Sequence, residues 1–167
     1  PKDDTETYQP VVPTDTFEDF LASRNQMRET FRSIEPKPDL TGRPIVGSTD
    51  VHEYAMLLLV DALDALGLEP IIAGTSVDPD EFADLALEAG ATTILVSTHN
   101  GMALTYAREL LRELENRSLS IPVAVGGTLN QDIEGVATPV DVGDELTRMG
   151  INVCRSITDM LNVLELS

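Results

Sequence analysis

The chain has 167 residues and a net charge of −18, from 29 acidic and 11 basic residues. That balance excludes binding along a nucleic-acid phosphate backbone, which needs clustered cations. At 42% hydrophobic the chain can bury a core, but with 4% aromatic residues and no tryptophan that core must be aliphatic. No run of about 18 apolar residues is present, so no membrane-spanning helix is expected. No basic-then-apolar leader opens the chain. It begins at Pro1 rather than Met, which suits a piece of something longer. The single Cys154 rules out an internal disulfide and fits a reducing, cytoplasmic setting. Lys2 and Lys37 are the only lysines; the other basic residues are arginines. The acidity has three readings: high solubility, a salt-loving source, or an acidic face for a basic partner subunit.

Residues 1–15 are polar and carry three prolines, the pattern of an extended or disordered lead-in. Thr16–Ile34 spaces Phe17, Phe20, Leu21, Met27 and Phe31 among charges, which predicts an amphipathic helix outside the main domain. Asp15 or Thr16 could cap it. Glu35-Pro36-Lys37-Pro38 ends it, because proline disfavours helix at the residue before it. Two readings are open: a helix packed on its own domain, or a docking arm for another chain. Residues 1–42 therefore read as an N-terminal helical extension, and 43–167 as the main domain.

From Arg43 the pattern alternates between short β-rich runs and helices. Strands are expected at Pro44–Gly47, Glu69–Ala73, Thr93–Val96, Ile121–Val125 and Ile151–Cys154. Helices are expected at Tyr54–Leu66, Pro79–Ala89, Met102–Arg117, Val140–Met149 and Ser156–Leu166. Gly67, Gly90 and Gly150 serve as stops and Asp78 as a cap. Thr128–Pro139 reads as loop. Five such alternations imply an α/β fold, a doubly wound five-stranded parallel sheet with helices on both faces. The Rossmann-like, flavodoxin-like strand order 2-1-3-4-5 is the usual solution at this size.

In that order, the loops after strands one, three and four open on the same sheet edge, where such folds bind ligands. They hold Ser48–His52, Ser97–Gly101 and Gly126–Asn130. Gly126-Gly127 with Thr128 could let backbone approach a phosphate, yet neither GxxxxGK[ST] nor GxGxxG is present, and a plain turn explains two glycines equally well. Ser48, Ser97 and Thr98 lie in loops with His52, His99 and Asp50, but no GxSxG elbow supports a nucleophilic triad. Cys154 reads as a small core residue. His52, His99 and Cys154 lack structural-zinc spacing. One imidazole suffices, however, for a metal already held by a macrocycle. Its other N–H then needs an acceptor, and Asp50-Val51-His52 supplies a carboxylate two residues earlier. Taken alone this DxH pattern also fits a solvated loop.

The three loops together resemble the cobalamin-binding domain of adenosylcobalamin-dependent mutases, such as the small subunit of glutamate mutase. That family carries DxHxxG after the first strand, SxL after the third and GG after the fourth. Here they read Asp50-Val51-His52-Glu53-Tyr54-Ala55, Ser97-Thr98-His99 and Gly126-Gly127. Ala55 replaces the last glycine and His99 the leucine. The resemblance implies that His52 is the lower cobalt ligand in a base-off cofactor, with Asp50 holding its other N–H. Ser97 would bond the displaced tail base, and Gly126 and Gly127 would make room for the tail. Ser48 and Thr49 would bond the tail phosphate or corrin amides. Val51, Thr98 and His99 would complete the cofactor surround. A Cβ at Ala55 could press on the tail, and His99 brings polarity to a normally apolar wall.

The implied function is the cobalamin-carrying subunit or domain of a radical isomerase, not catalytic alone and with no catalytic residues of its own. A TIM-barrel mutase subunit would bind substrate, in a heterotetramer or with homo-oligomers possible. Two other functions are open: a corrinoid protein of a methyltransferase, or a degenerate, cofactor-free binding or sensor module. Corrinoid proteins usually carry a longer helical cap, and receiver-like scaffolds a lysine that this domain lacks.

Overall fold

A computed structural model of the chain describes residues 14–33, 40–51, 53–135 and 137–165. The lead-in through residue 13, the Glu35–Pro38 breaker and His52 lie outside the described residues.

Strands β1 (Pro44–Ser48), β2 (Ile71–Gly74), β3 (Thr93–Thr98) and β4 (Val123–Gly127) alternate with helices α2 (Glu53–Ala65), α3 (Pro79–Glu88) and α4 (Ala103–Asn116). Two two-residue strands follow, β5 (Asn130–Gln131) and β6 (Val140–Asp141). Then come α5 (Gly143–Arg148), β7 (Asn152–Cys154) and α6 (Ile157–Glu165). The five main strands form one parallel sheet in the order β2-β1-β3-β4-β7. That is the expected 2-1-3-4-5 order, with β7 as the fifth sheet strand. The extra labels arise because Asn130–Gln131, inside the stretch expected as loop, pairs antiparallel with Val140–Asp141, expected as the start of a helix that begins only at Gly143.

Strand alternation sorts the core onto two faces. Ile45, Ile94, Val96, Val123 and Val125 pack with Phe82 of α3, Leu110 of α4 and Leu146 of α5. Val46, Leu95 and Ala124 pack on the other face with Met56 and Leu63 of α2 and Met160 and Val163 of α6. Every one of these side chains is buried. Gly67, Gly90 and Gly150 have φ of 85°, 62° and 86°, the left-handed conformation that ends a helix cheaply only at glycine. Asp78 holds the N-cap position of α3 but makes no side-chain cap bond; Pro79 at the first turn fixes the start instead.

Ahead of the sheet, α1 (Thr14–Arg32) starts before both cap candidates and packs along α2. Its inward stripe is Leu21, Arg24, the adjacent pair Met27 and Arg28, and Phe31, recurring every three residues with exposed residues between the turns. Phe31 is 2% exposed. Arg24 forms an ion pair with Asp61 of α2. No helix among the described residues is long and apolar enough to cross a membrane.

Candidate cofactor crevice

Parallel pairing sets residues of neighbouring strands in rows. One row is Val46, Leu95 and Ala124; the next on the same face, toward the carboxyl edge, is Ser48, Ser97, Gly126 and Cys154. Three small side chains and a glycine in one row leave α2 and α6 standing off the sheet. The result is a crevice of about 230 Å³. Ala55, Leu58 and Leu59 of α2 and Met160 of α6 form its sides, Leu95, Ser97, Ala124, Gly126 and Gly127 its floor and mouth, and Met27 of α1 a further wall. Its walls are almost wholly apolar, and Ser97 is the exception that matters. That residue is 5% exposed, and its Oγ is buried with no partner among the described residues. A buried hydroxyl left unpaired costs stability, so its position at the crevice wall marks a place for a polar ligand atom.

The three expected loops converge and are bonded to one another. Thr49 N–H donates to the Ser97 carbonyl at 3.0 Å, and Thr128 N–H donates to the Thr98 carbonyl at 2.7 Å. Asp50, 8% exposed, accepts the backbone N–H of His99 at 2.9 Å. The Asp50 N–H in turn meets Ser48 Oγ at 3.4 Å. Gly127 sits at φ 99°, and a Cβ there would lie 2.4 Å from the Thr98 carbonyl oxygen, so only glycine fits. A Cβ on Gly126 would come within 3.1 Å of the Cys154 carbonyl.

Of the expected site residues, Ser97, Gly126 and Gly127 line the crevice. Asp50 ties the first loop to the third strand's loop rather than lining the crevice. Ser48 is fully buried at the end of β1, and Thr49 and Thr98 each keep a buried hydroxyl without a partner among the described residues. Val51 is 76% exposed, and His99 is exposed beside Gly127. Sequence reasoning missed Leu58, Leu59, Met160, Cys154 and Met27 as lining residues. Ala55, noted only as a departure, is one of them. Their signal was an ordinary apolar helix or strand position. Cys154 is half-buried, and desolvation, with Asp159 adding, pushes its thiol up to about 11. It is therefore a neutral wall group at pH 7. Among the described residues no three His, Cys, Asp or Glu side chains gather to hold a metal.

A largely apolar slot with one buried hydroxyl on its lining can seat an apolar group that carries a polar acceptor atom. A family model described as "B12 binding domain" matches residues 45–144. The glutamate mutase sigma subunit 1 of Haloarcula marismortui is 35% identical over 85 residues, 51% of this chain and 56% of that protein. The chain thus matches about half the length of that curated relative. In fold it is similar to a cobalamin-binding protein from Desulfitobacterium hafniense (TM-score 0.62, 16% identity, 88% of this chain and 68% of that one). It is similar too to the monomethylamine corrinoid protein of Methanosarcina barkeri (TM-score 0.63, 16% identity, 94% and 73%). This chain belongs to the B12-binding domain family.

Proposed function

We propose that the domain holds cobalamin base-off, with the tail in the crevice and the corrin over the carboxyl edge of the sheet. The observation that carries this is the unpaired, buried Ser97 Oγ in an apolar slot opened by Gly126. His52 would hold the cobalt through one ring nitrogen, with Asp50 accepting the N–H of the other. A carboxylate accepts several bonds, so holding the His99 N–H leaves capacity for an imidazole. Asp50 then has two tasks, since the same carboxylate that orients the ligand fixes the loop bearing Ser97 and His99. Thr49, Val51, Thr98 and His99 sit at the rim or in the bonded loops around it, and Ser48 braces Asp50 from below. When bound, the adenosyl form supplies a weak cobalt–carbon bond as a radical source. The residues of this chain would bind and orient it and keep water from its lower face.

Kinship with a glutamate mutase sigma subunit supports a component of an adenosylcobalamin-dependent isomerase, paired in the cytoplasm with a TIM-barrel subunit that binds substrate. A second reading, a methyltransferase corrinoid protein, is favoured by one observation. The fold likeness to the monomethylamine corrinoid protein spans 94% of this chain, a share that must include residues ahead of β1. Titration with adenosylcobalamin and with methylcobalamin, each followed by capture of a barrel subunit from co-expression, separates the two. An adenosylcobalamin complex that recruits a mutase barrel supports the first. Absence of binding to either cofactor contradicts both.

A further inference from the structure

Met27 lies outside the stretch matched by the family model, residues 45–144, yet it lines the same crevice as Ser97, Gly126 and Gly127. The crevice has a floor on β3 and β4 and sides on α2 and α6. Helix α1 packs along α2, and ion pairing of Arg24 with Asp61 fastens it there one turn from Met27. Phe31, one turn further on, is buried. The inner face is not satisfied as it stands: Nε of Arg28, next to Met27, is buried with no partner among the described residues. A thioether is a flexible apolar group that adapts to an aromatic surface.

We propose that α1 is the outer wall of the tail crevice and that Met27 packs against the bound cofactor's nucleotide tail. This rests on the cofactor reading above. The helix is then neither a free docking arm nor a mere support. It adds a contact beyond those of the B12-binding domain itself, and it makes tail retention depend on how firmly α1 is fastened. The Arg24–Asp61 pair acts as that fastening, and neither residue is itself part of the crevice lining.

Two probes separate a wall for the tail from general support of the fold: adenosylcobalamin, and cobinamide, which has the same corrin and cobalt but no nucleotide tail. In the full chain, Met27→Ala should weaken adenosylcobalamin binding by about tenfold, the order expected for losing one buried apolar contact, and leave cobinamide binding unchanged. Asp61→Asn should speed adenosylcobalamin release while cobinamide release stays as in the unaltered chain. Melting curves confirm that both variants fold. Equal losses for both probes, no change for either, or tighter adenosylcobalamin binding in Met27→Ala would overturn the proposal while leaving the cofactor reading intact. Failure of the unaltered chain to bind either probe would remove the cofactor reading and this inference together.

Discussion

The carboxylate of Asp50 accepts the backbone N–H of His99 at 2.9 Å, joining the loop after β1 to the loop after β3. Asp50 is nearly buried, so this is a charge-assisted bond in a poorly solvated place. Asp50→Ala should leave that N–H without its acceptor and cost about 2 kcal/mol of unfolding free energy. Denaturant melts measure this. Under the proposed cofactor reading, cobalamin affinity should fall in the same variant, because the same carboxylate would also hold the ligand imidazole.

Ser97 should behave in the opposite way. Its hydroxyl is buried without a partner among the described residues, so Ser97→Ala removes no bond. Stability should stay within about 0.5 kcal/mol or rise slightly. Cobalamin binding, measured by titration, should weaken about fivefold, the worth of one neutral hydrogen bond. A stability loss without an affinity loss would make Ser97 structural.

The contrast shows what could be read from the sequence. The alternation of strands and helices followed from apolar runs and small polar breaks, whereas the strand order rested on the usual solution for five strands, and the convergence of the three loops rested on that order. The crevice did not, because it exists only once register sets Ser48, Ser97, Gly126 and Cys154 in one row. Cys154 looked like core for the same reason: a small apolar residue ending a strand gives no hint of what stands off it. Met27 was hidden inside an ordinary helical stripe. Boundaries moved where pairing decided them. β3 runs on to Thr98 because Ser97 and Thr98 pair with Gly126 and Gly127. β2 starts at Ile71, after Pro70, which lacks a ladder donor. The β5–β6 strands are too short to leave any periodic trace.

Cys154 offers a probe of occupancy. Burial raises its thiol from 9.0 to about 11, so alkylation at pH 8 should be slow. Bound cobalamin should slow it further by covering the crevice, as mass spectrometry of alkylated protein would record. The same shift has a stability consequence. The unfolded chain ionises this thiol first, so the contribution is complete below about pH 9 and is lost as pH rises toward 11. Cys154→Ser should remove that alkaline dependence.

A net charge of −18 implies self-repulsion in the compact state, which salt screens over a Debye length of about 10 Å at 0.1 M. The melting temperature should therefore rise between low salt and about 1 M sodium chloride. A falling midpoint would show that attractive pairs such as Arg117 with Asp84 and Glu113 outweigh repulsion.

In the proposed function the His52 imidazole would be the protein's ligand to cobalt. The most direct measurement is the visible spectrum of cobalamin bound to the unaltered chain and to His52→Ala, with melts of both. The account predicts a shifted, histidine-ligated spectrum in the unaltered chain that is lost in the variant, with stability unchanged within about 1 kcal/mol. A bound spectrum identical in both proteins would contradict it, as would failure of the unaltered chain to bind at all.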